Sequence, residues 1–222
     1  MTSRIEEAWQ RLVAHYGRRR RDAAANPFDA LLAAALGANA ADRRVARAIE
    51  NLREAGVTDA RGLVESSPDE LIEWLGPIGN ARQKAGRLLK LARFIVERYD
   101  GSIEALLGAD PETLRGELLS LPGIGAHTAD SILLFAGRRP SFVVDLAAHR
   151  VLKRHGWIEF EAEGEAIKES VEAALARDPA RLAEFHDLLD LVGRQHCRKA
   201  PLCDGCPLAE LLPAGGPLAP EF

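Results

Sequence analysis

The feature that most constrains this chain is the segment Leu121-Pro122-Gly123-Ile124-Gly125-Ala126-His127-Thr128-Ala129-Asp130, followed a short way on by Val143-Val144-Asp145. Two glycines flank one apolar residue, which predicts a tight hairpin, and the run from Ala129 to Phe135 predicts a helix directly after it. Bare glycines let backbone N–H groups and the next helix N-terminus approach a phosphate with no side chain in the way. Asp145 then stands alone between an apolar extended piece and a new helical pattern. A grip for a nucleic-acid backbone, with one acid close behind it in the chain, predicts chemistry on DNA.

The rest reads as helix after helix. Apolar residues recur near helical spacing from Ile5 to Tyr16, and Asn26-Pro27 reads as a cap and first turn before the apolar run Ala30 to Leu36. Val45, Ala48, Ile49 and Leu52 form a stripe, as do Ala85, Leu88, Leu89, Ala92, Ile95 and Val96 within the long pattern from Arg82 to Tyr99. Ser67-Pro68-Asp69-Glu70 and Asp110-Pro111-Glu112 read as helix starts. Alternating strand patterns are scarce, and Ser141 to Val144 is at most a short extended link. A Pro/Gly/Ala-rich tail begins at Pro213.

A chain of 222 residues, 47% hydrophobic, can build one large domain or two small ones. No apolar run reaches membrane-spanning length, and the polar start from Met1 to Glu7 is unlike a signal peptide. The three cysteines all lie between Cys197 and Cys206, an odd and clustered set that points to a metal site in a reducing cytoplasm, not to a disulfide framework. The formal charge of −4 does not advertise nucleic-acid binding, but its distribution is uneven. Arg4, Arg11 and Arg18 to Arg21 crowd the first helix and its exit. Glu159, Glu161, Glu163, Glu165, Glu169 and Glu172 cluster around a later helix start. A basic groove with an acidic back fits both; a solvated arginine run is the plainer alternative.

The hairpin and the Val144-Asp145 that follows resemble the signature of the endonuclease III superfamily of helix–hairpin–helix DNA glycosylases, L-P-G-[VI]-G-x-K-T-A and then V-D. Here His127 takes the usual lysine position. Asn26-Pro27-Phe28-Asp29-Ala30-Leu31-Leu32, Leu36-Gly37-Ala38-Asn39-Ala40-Ala41-Asp42 and Ile78-Gly79-Asn80-Ala81-Arg82-Gln83-Lys84-Ala85 are similar to further motifs of that family, so the likeness spans most of residues 26–212. It implies an all-α, two-domain fold: a six-helix domain over residues 26–138, and a second domain made of residues 1–25 with 139–222 and ending in a metal-cluster loop. Double-stranded DNA would lie across the cleft between them, bound by a monomeric cytoplasmic protein, nucleoid-associated if bacterial, with no membrane partner.

The resemblance also assigns roles. Asp145 is implied as the catalytic carboxylate: a base is flipped out of the stack, and the acid opposes the positive charge that builds on the sugar as the N-glycosidic bond breaks. On residue pattern alone Asp145 equally reads as the cap of a helix from Leu146 to about His155, and the two roles are compatible. His127 is implied as catalytic by position, yet imidazole cannot form the Schiff base that the family's lysine forms. Three readings follow: a monofunctional enzyme that uses water, an altered weak activity, or a protein that binds damage without cutting. Gly123, Gly125 and Thr128 of the hairpin are implied to contact DNA. Asn39 sits where relatives fill the gap left by the flipped base, and Asn80 where they present a wedge. As plain residues, Asn39 caps a helix and Gly79-Asn80 is a turn.

Cys197, Cys203 and Cys206 resemble three of the family's four cluster cysteines, C-x6-C-x2-C-x5-C, with the first gap one residue short and Leu212 at the fourth place. The expected cofactor is an iron–sulfur cluster, [4Fe–4S] with a non-cysteine or missing fourth ligand, for which His196, Asp204 and Glu210 are candidates. A three-iron cluster, a zinc site and free thiols are the alternatives. The loop would carry Arg194, Arg198 and Lys199 toward phosphates. The expected function is base-excision repair of damaged, oxidised pyrimidines by a DNA glycosylase with doubtful lyase activity. The rival is a non-catalytic damage-binding protein of the same fold. Adenine or mismatch removal ranks lower, because no pocket carboxylate stands near Asn39.

Overall fold

The computed structural model describes residues 3–19, 26–37, 42–159 and 161–218, and among these it is mostly helical, with no β-strand. The chain divides into two compact units: Ala23–Arg139, and a discontinuous unit of Met1–Asp22 with Pro140–Phe222. Helix α1 (Arg4–Tyr16) belongs to the discontinuous unit. The continuous unit holds α2 (Pro27–Leu36), α3 (Asp42–Glu54), α4 (Ala60–Glu65), α5 (Pro68–Trp74), α6 (Ala81–Tyr99), α7 (Ile103–Gly108), α8 (Pro111–Ser120) and α9 (Ala126–Ser131). Helices α10 (Leu146–Arg154), α11 (Gly164–Ala174) and α12 (Pro179–Gln195) complete the discontinuous unit. No described helix is long and apolar enough to cross a membrane.

In the continuous unit the helix starts follow from local chemistry. Asn26 Oδ1 accepts the Phe28 N–H at 2.9 Å with Pro27 in the first turn. Ser67 and Glu70 close a reciprocal capping box at 3.3 and 2.9 Å. Helix α2 is apolar nearly all round and accordingly sits inside, with Leu31, Leu32, Ala35 and Leu36 each 1% exposed or less, packed against α3, α7, α9 and the π-helical stretch Ile132–Ala136 that continues α9. That stretch departs from the regular helix expected there: Gly137 N–H reaches back to Ile132 O at 2.8 Å. At the other end of α2, Lys84 Nζ donates to Leu36 O at 2.9 Å, and burial pushes its amine below the usual range. The lysine of the I-G-x-x-x-x-K-A pattern is therefore a cap for α2.

The discontinuous unit is pinned by buried carboxylates. Glu184 of α12, 5% exposed, accepts from Trp9 Nε1 at 3.0 Å, Arg18 Nη1 at 3.0 Å and the Arg19 N–H at 2.9 Å. The Trp9 ring also lies under the guanidiniums of Arg18 and Arg181, at 5.1 and 4.2 Å. These bonds satisfy a charge that would be costly alone and fasten α1 to α12. Of the arginine-rich exit from α1, the Arg18 guanidinium is thus engaged in holding the unit together. Glu172 of α11, 2% exposed, accepts the Phe142 N–H at 2.8 Å. With Phe142 and Val143 fully buried, this fixes the extended link 141–144 that delivers Asp145. Helices α10 and α12 approach closely at Gly193, where an added Cβ would stand 2.6 Å from Ala147 Cβ.

Candidate active site

The hairpin joins α8 to α9. Ile124 N–H bonds back to Leu121 O at 3.0 Å, Ile124 is buried at 4% exposure, and Gly123 adopts φ +93°, a conformation suited to glycine. Gly125 is different. Its φ of −99° and ψ of 178° suit any residue, and a Cβ there would meet nothing within 4 Å. Nothing inside the chain requires a glycine at 125, so its missing side chain leaves room for something approaching from outside. The hairpin is held from below: Asp130, 3% exposed, takes Arg115 Nε at 2.8 Å and Nη2 at 3.3 Å, while Lys90 Nζ donates to Pro122 O at 3.2 Å.

His127 lies in the first turn of α9, half-buried, and its carbonyl accepts the Ser131 hydroxyl at 2.6 Å. Thr128 is 4% exposed, and its N–H returns to Gly125 O at 3.0 Å. Its side chain is buried, so the exposed surface of the hairpin is made by Pro122, Gly123, Gly125 and Ala126. Asn80 is exposed, adopts the left-handed conformation (φ 50°, ψ 35°) at the start of α6 and makes no side-chain cap bond. Its amide is offered to solvent. Asn39 lies outside the described residues.

Asp145 is the N-cap of α10, with φ −102° and ψ 179°, and its Oδ1 accepts the Ala148 N–H at 2.7 Å. The carboxylate remains 24% exposed, and its Oδ2 faces His186 Nε2 of α12 at 3.6 Å. The capping role is thus real, and it leaves one oxygen partly open. His186 was not legible in the sequence, since nothing in its local pattern separates it from any other polar residue of α12.

Cys197, Cys203 and Cys206 line one small, partly open cavity, together with Arg154, His155, His196 and Leu212 among others. The cysteines are unbridged, with Cys197 buried. Burial first, then the neighbouring Cys203 and Cys197 sulfurs, push the Cys206 thiol up, against a Leu208 backbone bond that lowers it. Among the described residues no three His, Cys, Asp or Glu side chains converge on one ion position. Leu212, at the fourth cysteine position, does line the cavity, and of the three alternative ligands only His196 does so; Glu210 is turned outward onto Arg11 at 2.6 Å. Arg154, 5% exposed, donates to Cys197 Sγ at 3.3 Å and to the carbonyls of Arg198 and Lys199 at 2.6 and 2.8 Å. It therefore ties the thiol site to the loop that presents the basic residues Arg198 and Lys199, both exposed.

Residues 32–177 match the family model described as the HhH-GPD superfamily base excision DNA repair protein. The chain is 37% identical over 208 residues to a candidate DNA repair glycosylase of Methanocaldococcus jannaschii, covering 93% of this chain and 94% of that one. It is 29% identical over 208 residues to endonuclease III of Thermotoga maritima, covering 91% and 89%. A non-covalent endonuclease III–DNA complex superposes with TM-score 0.76 at 25% identity, covering 94% of this chain and 93% of that one. With a helical fold, a hairpin of the required form and matches over nearly its whole length, the chain belongs to the endonuclease III-like helix–hairpin–helix family of base excision DNA repair proteins.

Proposed function

We propose that this protein is a DNA N-glycosylase that removes damaged, oxidised pyrimidines from double-stranded DNA, acting as a monomer and without an efficient lyase step. The observation that carries the reading is Asp145: a carboxylate anchored by its own helix at one oxygen and partly open at the other. In this reading the hairpin backbone around Gly123 and Gly125 grips a phosphate, and the target nucleotide is flipped into a pocket. The N-glycosidic bond breaks, the base leaves with the bonding electrons, and Asp145 opposes the positive charge left on the sugar. Water then adds to the sugar carbon and yields its proton toward Asp145 or solvent. His127 offers imidazole where an amine would attack, so water is the nucleophile, and the pyrimidine preference rests on the likeness to endonuclease III.

The three thiols and their cavity support an iron–sulfur cluster held by Cys197, Cys203 and Cys206, with His196 the best-placed fourth ligand. Such a group would stiffen the loop that Arg154 braces, and no step of base excision needs electrons from it. The reading is tested by incubating the protein with duplexes that each carry one altered base, then analysing the strands with and without alkali. Alkali-dependent breaks at an oxidised pyrimidine support it. Binding to such duplexes with no base release supports the non-catalytic alternative.

A further inference from the structure

We propose that His186 is a positioning residue for base excision, holding the second oxygen of Asp145 so that the carboxylate cannot turn. This rests on the reading of Asp145 given above. The cap bond from Ala148 N–H secures Oδ1 at 2.7 Å but leaves the carboxylate plane free to swing about that single bond. Oδ2 lies 3.6 Å from His186 Nε2, which is the side chain that α12 brings to it. An N–H···O bond forms at about 2.7–3.2 Å, so closing by roughly half an ångström makes one. Catalytic hydrogen bonds are often long before substrate binds and tighten afterwards.

The imidazole is itself held in place. Its side chain is only 12% exposed, its edge meets the Phe142 ring at 6.3 Å and 69°, and Asp187 Oδ1 stands 3.6 Å from Nδ1. Phe142 is anchored in turn through its N–H to Glu172. The link 141–144 thus fixes Asp145 and the wall of the His186 site together. The close crossing of α10 and α12 at Ala147 and Gly193 sets the separation of the two helices that carry the pair. An apolar ring would pack against Phe142 equally well. A largely covered imidazole facing carboxylates at both nitrogens is a costlier choice unless its N–H groups are used.

The test is single-turnover excision by the full-length protein on duplexes bearing one thymine glycol, 5-hydroxyuracil or uracil, with the fastest substrate used throughout. His186→Phe keeps the packing and removes both nitrogens. Its rate at saturating protein falls on the order of 10²-fold, the loss that about 1 Å of misplacement brings, while the half-saturating protein concentration is unchanged. His186→Gln restores a neutral N–H near the place of Nε2 and recovers most of that loss. Two results overturn the proposal: His186→Phe excising at the wild-type rate, or His186→Gln remaining as slow as His186→Phe. Wild-type-like excision by Asp145→Asn, or no excision of any of the three bases by the natural protein, overturns the underlying reading instead and the proposal with it.

Discussion

Replacing Gly193 by alanine sets two sizeable effects against each other. Alanine gains about 1 kcal/mol over glycine in a helix interior. Its methyl, however, would stand 2.6 Å from Ala147 Cβ, where carbon atoms pack best at about 3.5–4.0 Å. The obstacle is the Cβ of a neighbouring helix and not the end of a flexible side chain, so α10 and α12 must separate by about 1 Å, and overpacking of this kind costs about 1–3 kcal/mol. The clash wins, and the discontinuous unit loses about 1 kcal/mol in urea unfolding followed by circular dichroism. Ala147→Gly alone costs at most about 1 kcal/mol of helix propensity, because Ala147 sits in the first turn of α10. Combined with Gly193→Ala it moves the methyl from one helix to the other, and stability returns to within about 0.5 kcal/mol of the natural protein. Strictly additive losses in the double variant would refute the reasoning, because they would mean that the two positions do not touch.

Three further outcomes follow from the same geometry. Gly125→Ala, placed where an added Cβ meets no protein atom within 4 Å, leaves unfolding unchanged but weakens binding to every duplex alike in a filter-binding assay; a loss confined to one lesion would assign the hairpin to base recognition. Borohydride traps little covalent protein–DNA adduct with the natural chain, whereas His127→Lys raises trapping and strand cleavage; efficient trapping by the natural protein would show that another amine attacks. Anaerobically purified protein is yellow-brown, with iron and sulfide in place of zinc, and chelation of its iron loosens the Arg198–Lys199 loop to proteolysis; a colourless protein with one zinc contradicts the cluster.

Much of the local structure was legible because short-range chemistry decided it. Asn26-Pro27, Ser67 to Glu70 and Asp110-Pro111 start helices where their caps say they should, and the Val45–Leu52 stripe is buried as its spacing requires. The hairpin was legible too, since φ +93° at Gly123 leaves a strong mark on sequence. The π-helical turn at Ile132–Ala136 was not, because its apolar residues fit a regular helix equally well. Glu184, Glu172 and His186 act on residues remote in sequence, and nothing local distinguishes a buried, bonded glutamate from a solvated one. The acidic stretch around α11 therefore looked like surface, while its Glu172 holds the link to Asp145. The family likeness supplied what patterns did not: the expectation that Asp145 is more than a helix cap, and why the departures at His127 and Leu212 matter.

The central claim is that Asp145 performs base excision and does not merely cap α10. The Asp145→Asn variant separates the two roles, because the amide oxygen still accepts the Ala148 N–H while the negative charge is gone. The decisive measurement is its single-turnover excision rate on the best lesion duplex, beside its affinity for that duplex. The account predicts a fall of at least about 10³-fold in rate with affinity equal or higher, since repulsion from phosphate is relieved. A rate within a few-fold of the natural protein would leave Asp145 a helix cap and place the chemistry elsewhere.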